Sequence, residues 1–317
     1  MVKSAKIIRV PLECPLAPEN RGAIAVIGNL DGIHLGHQEL VYKAVALAEK
    51  AGAPPAVVVF DPHPRKVFHP STPPFILTQI ETKARLLYRL GIEILYVLPF
   101  NEQLRTQTPE TFVKHTLGEI MGLSGMVTGT DFRFGAGRSG DIDALARLAQ
   151  EAGMTAHTIE PVIAPGGEKF SSSNIRQALR EGHPEEAVRM LDRPFAIRGE
   201  VIEGKKLART LDFPTANISL GDYVRPKYGV YAVTLIHDDQ RYPGVANIGV
   251  RPTVDGATEL LEVHMFHFEG DLYGETVEVE LHSFLRPEQK FDGLDALKTQ
   301  IAKDTADARQ WHKTHTL

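Results

Sequence analysis

The chain has 317 residues, more than one hydrophobic core readily serves, so two domains are expected, at about 150 residues each. Hydrophobic residues make up 43% and charged residues 24%, with no low-complexity tract, which excludes a disordered chain. The net charge of -5 argues against a nucleic-acid partner held on a broad basic surface, and the single cysteine, Cys14, excludes an intrachain disulfide or a multi-cysteine metal site.

The opening MVKSAKIIRVPLECP lacks the long apolar core of a signal peptide, and no run approaches the roughly 18 apolar residues of a membrane span, so no membrane association and a cytoplasmic, reducing setting are expected. AIAVIG (23–28) reads as a strand, and HQELVYKAVALAEKAG (37–52) as a helix with apolar positions at helical spacing and a stop at Gly52. The alternation continues with strand AVVVF (56–60), helix TKARLLYRLG (82–91), strand ILYVLPF (94–100), helix PETFVKHTLGEIMG (109–122), strand GMVTG (125–129) and helix DIDALARLAQEAG (141–153). Strands alternating with helices imply a parallel sheet covered on both faces, an α/β doubly wound domain over residues 1–186. The last part of that stretch, SSSNIRQALREGHPEEAVRMLDR, is helical by spacing. From Pro194 the texture changes to short alternating segments, FAIRGEVIEG, GVYAVTLIH, ELLEVHMFHF and ETVEVELHSF, without intervening helices. They predict a small antiparallel β-barrel over 187–317, and FDGLDALKTQIAKDTADARQWHK predicts one C-terminal helix packed on it.

The stretch GNLDGIHLGH (28–37) places His34 and His37 in a glycine-rich turn leaving the first strand of that sheet. Such a turn presents backbone N–H groups and the positive end of the next helix at the carboxyl edge of the sheet, where anions bind. Imidazoles there can stabilise charge on a transferring phosphate, with Gly36 allowing close backbone approach. Two other readings stand beside this one. The pair could cap or pack the helix, or it could bind zinc, although the further ligands of an HExxH arrangement are absent. In the second half, PTAN (214–217) offers oxygen donors, Thr215 and Asn217, that suit Mg²⁺ as well as they suit a local turn.

GNLDGIHLGH, FDPHPRKVF (60–68), TGTDFRFGAGRSGD (128–141) and FSSSNIRQAL (170–179) resemble, in order and spacing, the HxGH-type adenylyltransferase module of the bacterial bifunctional riboflavin kinase/FMN adenylyltransferases, the FAD synthetase family. GEVIEGKKLARTLDFPTANI (199–218), YGVYAV (228–233), GVANIGVRPTV (244–254), LEVHMFHFEGDLYGE (261–275) and FLRPEQKF (284–291) resemble its riboflavin kinase module. The resemblance implies that riboflavin is phosphorylated to FMN with ATP, and that FMN is then adenylylated to FAD with release of pyrophosphate, both steps using Mg²⁺. It implies that His34 and His37 stabilise the ATP phosphates, that Asp31 and Gly32 shape the turn, and that Gly28, Gly36, His63, Ser172, Ser173 and Arg176 bind nucleotide. Asp131 and Phe132 fall on the flavin side of that site. In the kinase module it implies Glu262 as general base on the ribityl 5′-hydroxyl, Thr215 and Asn217 as Mg²⁺ and phosphate ligands, Gly204 and Arg209 as nucleotide contacts and Arg286 in a segment closing over flavin. The expected partners are these small molecules, with the oligomeric state open and a monomer allowed.

The chain departs from the family pattern at three places. Leu30 replaces the usual aromatic and alters packing under the nucleotide; Ala208 and Asp212 replace glycines, adding side chains and one negative charge near ATP. Three alternatives follow: an adenylyltransferase with a non-catalytic flavin-binding barrel, a nucleotidyltransferase for another phosphate-bearing acceptor, and a flavin sensor without turnover.

Overall fold

The computed structural model describes residues 3–163, 170–202, 215–253 and 256–315. They form two compact units, one from Met1–Thr72 with Thr78–Ser171, the other from Pro73–Leu77 with Ser172–Leu317. The expected boundary near residue 187 falls inside the second unit, which includes the helical stretch before the barrel.

The first unit is built on a six-stranded sheet in the order β1-β4-β3-β2-β5-β6. Its strands are β1 (Lys6–Arg9), β2 (Ile24–Ile27), β3 (Pro55–Asp61), β4 (Ile94–Pro99), β5 (Gly125–Gly129) and β6 (Thr155–Ile159), and every pair is parallel. Buried on both faces, β2 is apolar at every position, and its side chains alternate between two cores. Ile24 and Val26 join Val41, Ala44 and Ala48 of α1 (Leu35–Ala51) and Ala84 and Leu87 of α3 (Ile80–Arg89). Ala25 and Ile27 join Leu145 and Leu148 of α5 (Ile142–Glu151) and Phe112 and Leu117 of a π-helical segment, Thr111–Ile120. Two short helices, α2 (Pro64–Phe68) and α4 (Glu102–Arg105), follow β3 and β4. The doubly wound architecture is present, with Gly52 in the left-handed conformation (φ 64°) ending α1 as its sequence predicts. Two edge strands, β1 and β6, go beyond the sequence reading.

The second unit begins with α6 (Ser172–Glu181) and α7 (Pro184–Leu191) and continues into a closed barrel of order β10-β11-β8-β7-β12-β9. The strands are β7 (Phe195–Ile202), β8 (Ala216–Ser219), β9 (Gly229–His237), β10 (Gln240–Thr253), β11 (Gly256–Met265) and β12 (Thr276–Pro287), all antiparallel. Closure removes the sheet edges. On β9, Tyr231, Val233 and Leu235 fill the interior, whereas Val230 and Ala232 meet Ala308 and Trp311 of α8 (Leu294–Thr314) on the outside. That double burial explains why GVYAVTLIH is almost continuously apolar. Pro73–Leu77 completes this unit: the Phe75 and Ile76 N–H groups donate to the Asp222 carbonyl at 3.1 and 3.0 Å, and Leu77 is buried in the barrel-side core.

Candidate functional site

In the first unit, three motif loops leave the carboxyl ends of neighbouring parallel strands. GNLDGIHLGH follows β2, the His63 loop follows β3, and Asp131 and Phe132 follow β5, with β2 lying between the other two. The chain runs outward from β2 in both directions, so this edge is a topological switch point, where open α/β sheets bind ligands. Gly28 continues the β2/β3 ladder, its N–H donating to the Val58 carbonyl at 3.0 Å.

The turn is held by a network of buried polar groups. The buried Asp31 carboxylate accepts from the Thr78 N–H at 3.0 Å and hydroxyl at 3.3 Å, and the Gly32 N–H donates to that hydroxyl at 3.1 Å. Gly32 has φ 92°, and Leu30 and Ile33 also have positive φ, 43° and 47°. For a β-branched residue this is a strained conformation, costing about 1–3 kcal/mol, which the surroundings must over-determine. They do so by burial: Leu30 and Ile33 both pack into the core beneath α1, so the residue that replaces the usual aromatic is part of that core. Asn29 Oδ1 accepts from the Phe60 N–H at 3.0 Å, and the Lys83 ammonium donates to the Asn29 carbonyl. Burial pushes the Lys83 ammonium below its ordinary range, against the opposing pull of Asp31 and Asp61.

His34 is the N-cap of α1, its Nδ1 accepting from the His37 N–H at 3.3 Å. That acceptor role assigns the proton of the neutral ring to Nε2, making it a donor at the positive end of the helix. The His37 ring stacks on it with centroids 3.6 Å apart. Gly36 lies against the His34 ring, with space for no more than a tight Cβ there. His63 repeats the device: its Nδ1 accepts from the Arg65 N–H at 3.1 Å and caps α2. Capping and ligand donation are therefore compatible here, because they use opposite ring nitrogens. Asp131 is exposed, and Phe132 stacks on Phe134 with centroids 5.6 Å apart.

Ser172, Ser173 and Arg176 lie on α6 and belong to the second unit. Arg176 is buried, donates from Nε to the Phe75 carbonyl at 2.7 Å and sits over the Phe75 ring. On the barrel, cross-strand register puts Asn217 of β8 opposite Glu262 of β11, and Glu262 opposite Asn247 of β10. Their strand neighbours, Ala216, Ile218, Leu261, Val263, Ala246 and Ile248, point into the core, so this polar row lies on the outer face. The Asn217 amide donates to the Thr215 carbonyl at 3.5 Å, and its Oδ1 and the Thr215 hydroxyl are hard, neutral oxygens of the kind that suits Mg²⁺. Gly204 and Arg209, and the departures Ala208 and Asp212, lie outside the described residues.

Arg286 is held by α8: Nε and one terminal nitrogen donate to the two oxygens of buried Asp304 at 2.8 and 2.6 Å. Sequence reasoning did not single out Asn29, Thr78, Lys83, Asn247, Arg251, Glu288 or Asp304. Asn29 and Arg251 lie inside quoted motifs, whereas Lys83 and Asp304 look like ordinary helix-surface charges.

Family models match both halves: FAD synthetase over residues 16–174 and riboflavin kinase over 191–312. The bifunctional riboflavin kinase/FMN adenylyltransferase of Pseudomonas fluorescens is 42% identical over 295 residues, covering 93% of this chain and 94% of its own. The enzyme of that name from Escherichia coli (strain K12) is 38% identical, covering 96% and 97%. Among solved structures, one named a macrolide-efflux protein, from Streptococcus pneumoniae, matches with a TM-score of 0.83 at 32% identity, covering 96% of this chain and 99% of its own. No helix among the described residues is long and apolar enough to cross a membrane.

Proposed function

The chain belongs to the bifunctional riboflavin kinase/FMN adenylyltransferases, and from that premise we propose which of its residues carry each half of the chemistry. It phosphorylates riboflavin to FMN with ATP, then adenylylates FMN to FAD with release of pyrophosphate.

Adenylyl transfer is assigned to residues 1–186 and phosphorylation to 187–317. The observation that carries the first assignment is the convergence of the His34/His37 turn, the His63 loop and the Asp131/Phe132 loop at one edge of three adjacent strands. Here His34 Nε2 and His37 donate to the ATP phosphates beside the positive end of α1, while Gly28, Asp31, Gly32 and Gly36 shape the cradle. Asp131 and Phe132 take the flavin side. Ser172, Ser173 and Arg176 serve the triphosphate. The FMN phosphate is already ionised, so it attacks the α-phosphorus without a base as pyrophosphate leaves with the bonding electron pair; positioning and charge stabilisation supply the rate.

On the barrel, Glu262 takes the proton of the 5′-hydroxyl as that oxygen bonds to the γ-phosphorus, and ADP departs with the electron pair. Thr215 and Asn217 would hold Mg²⁺, which would supply neutralisation of phosphate charge. Gly204 and Arg209 contact nucleotide, and Arg286 contacts flavin. Consumption of ATP in both steps supports a cytoplasmic setting. The test is a double dissociation. Glu262→Gln should abolish FMN formation and spare FAD formation from supplied FMN, and His37→Ala should do the opposite. Equal loss of both activities in either variant refutes the assignment.

A further inference from the structure

Glu262 is held by a side chain that this assignment does not use. Asn247, Gly249 and Arg251 alternate along β10 and share the face on which Glu262 lies. Arg251 donates to Glu262 Oε2 from Nε at 3.0 Å and again from a terminal nitrogen, so both contacts fall on one carboxylate oxygen. Its other terminal nitrogen donates to Glu288 Oε1 at 3.3 Å, an oxygen that also accepts from the Asn247 amide at 3.2 Å. Glu288 reaches this position because residue 249 is glycine: a Cβ there would collide with the Glu288 carboxylate. Among the described residues, Glu262 Oε1 has no hydrogen-bond partner.

A carboxylate with one oxygen clamped in a planar fork and the other open has its rotation fixed and its accepting lone pairs aimed in one direction. General-base catalysis depends on that alignment, because a base must hold its hydroxyl within hydrogen-bond reach. We propose that Arg251 is a positioning residue for riboflavin phosphorylation: it fixes Glu262 Oε2 so that Oε1 faces the 5′-hydroxyl, and Glu288 in turn fixes Arg251. This rests on Glu262 being the base.

The experiment uses the full chain and measures FMN formation with saturating and limiting riboflavin, with FAD formation from supplied FMN followed separately. Arg251→Met keeps the apolar stem and removes the fork; kcat for FMN formation should fall at least about tenfold while KM for riboflavin stays within about twofold. Arg251→Lys should fall between that variant and the native enzyme. In Arg251→Ala, added guanidinium chloride at low millimolar concentration should restore part of the lost kcat, which a merely structural ion pair would not show. A native kcat in Arg251→Met, a loss confined to KM, or no rescue of Arg251→Ala overturns the positioning role while Glu262→Gln remains inactive. Full kinase activity in Glu262→Gln overturns the base itself, and the positioning role with it.

Discussion

Gly36 lies beneath the His34 imidazole, where a Cβ would stand 3.3 Å from both Nδ1 and Cε1 of the ring. The position is helical, so alanine suits the backbone there, and the helix itself gains up to about 1 kcal/mol from the change. The ring has to move instead. Gly36→Ala should therefore leave the melting temperature equal or raised while FAD formation from FMN falls roughly tenfold, the scale of a misplaced transition-state donor. Calorimetry together with a pyrophosphate-release assay checks both halves of that expectation.

Asp304 and Arg286 are a largely buried pair, with side chains 7% and 20% exposed. Removing one partner leaves the other charge uncompensated, so Asp304→Ala should destabilise the barrel by roughly 3–5 kcal/mol. Riboflavin phosphorylation should weaken as Arg286 loses its anchor, with adenylyl transfer from supplied FMN retained. Urea unfolding and the two separate assays measure this.

His282 is stacked on Trp311 of α8 and hydrogen-bonded to Thr234, and burial, with His312, Arg241 and His315 nearby, depresses its pKa from 6.5 to about 3. Glu280 is 3.8 Å from its Nε2, but Arg241 holds that carboxylate at 2.6 Å and offsets its pull. Between those two pKa values the unfolded chain binds a proton that the folded chain refuses, so ν in the unfolded state is larger and stability rises with pH. The stabilisation is complete above pH 6.5 and declines as pH falls toward 3. Denaturant midpoints at pH 7 and pH 5 should differ more for the native chain than for His282→Phe.

Lys83→Met leaves the Asn29 carbonyl without its ammonium donor and removes the positive charge facing Asp31 and Asp61. A fully buried unmatched acceptor costs about 1–3 kcal/mol, and this partly buried one falls toward the lower end. Adenylyl transfer should fall with the turn's order, and phosphorylation of riboflavin should not. Hydrogen exchange at the Gly32 amide, faster in the variant, would locate the effect.

The parts of this molecule written in contiguous residues were legible. Valine-rich runs between amphipathic stretches gave the sheet its central strands, and GNLDGIHLGH announced an anion-binding turn because turn, cap and ligand groups are neighbours in the chain. The edge strand KIIR carries only one buried side chain, Ile8, and TAHTI has little apolar contrast, so neither rises above its surroundings. Asn247, Arg251 and Glu288 were hidden for another reason: strand register brings the first two beside Glu262, and a glycine on that face lets the distant Glu288 carboxylate reach Arg251, relations that spacing does not encode. Lys83 and Asp304 share helices with many solvent-facing charges, and nothing local marks them as buried.

The short segment Pro73–Leu77 gives the gene an unusual constraint. The chain departs from its amino-terminal unit to contribute five residues to the other and then returns, so no single point of fission yields two complete products. A polypeptide starting at Ser172 would be born without the segment whose amides donate to the Asp222 carbonyl and without the carbonyl that receives Arg176. Inheriting the two activities as separate proteins would first demand a replacement for that borrowed stretch.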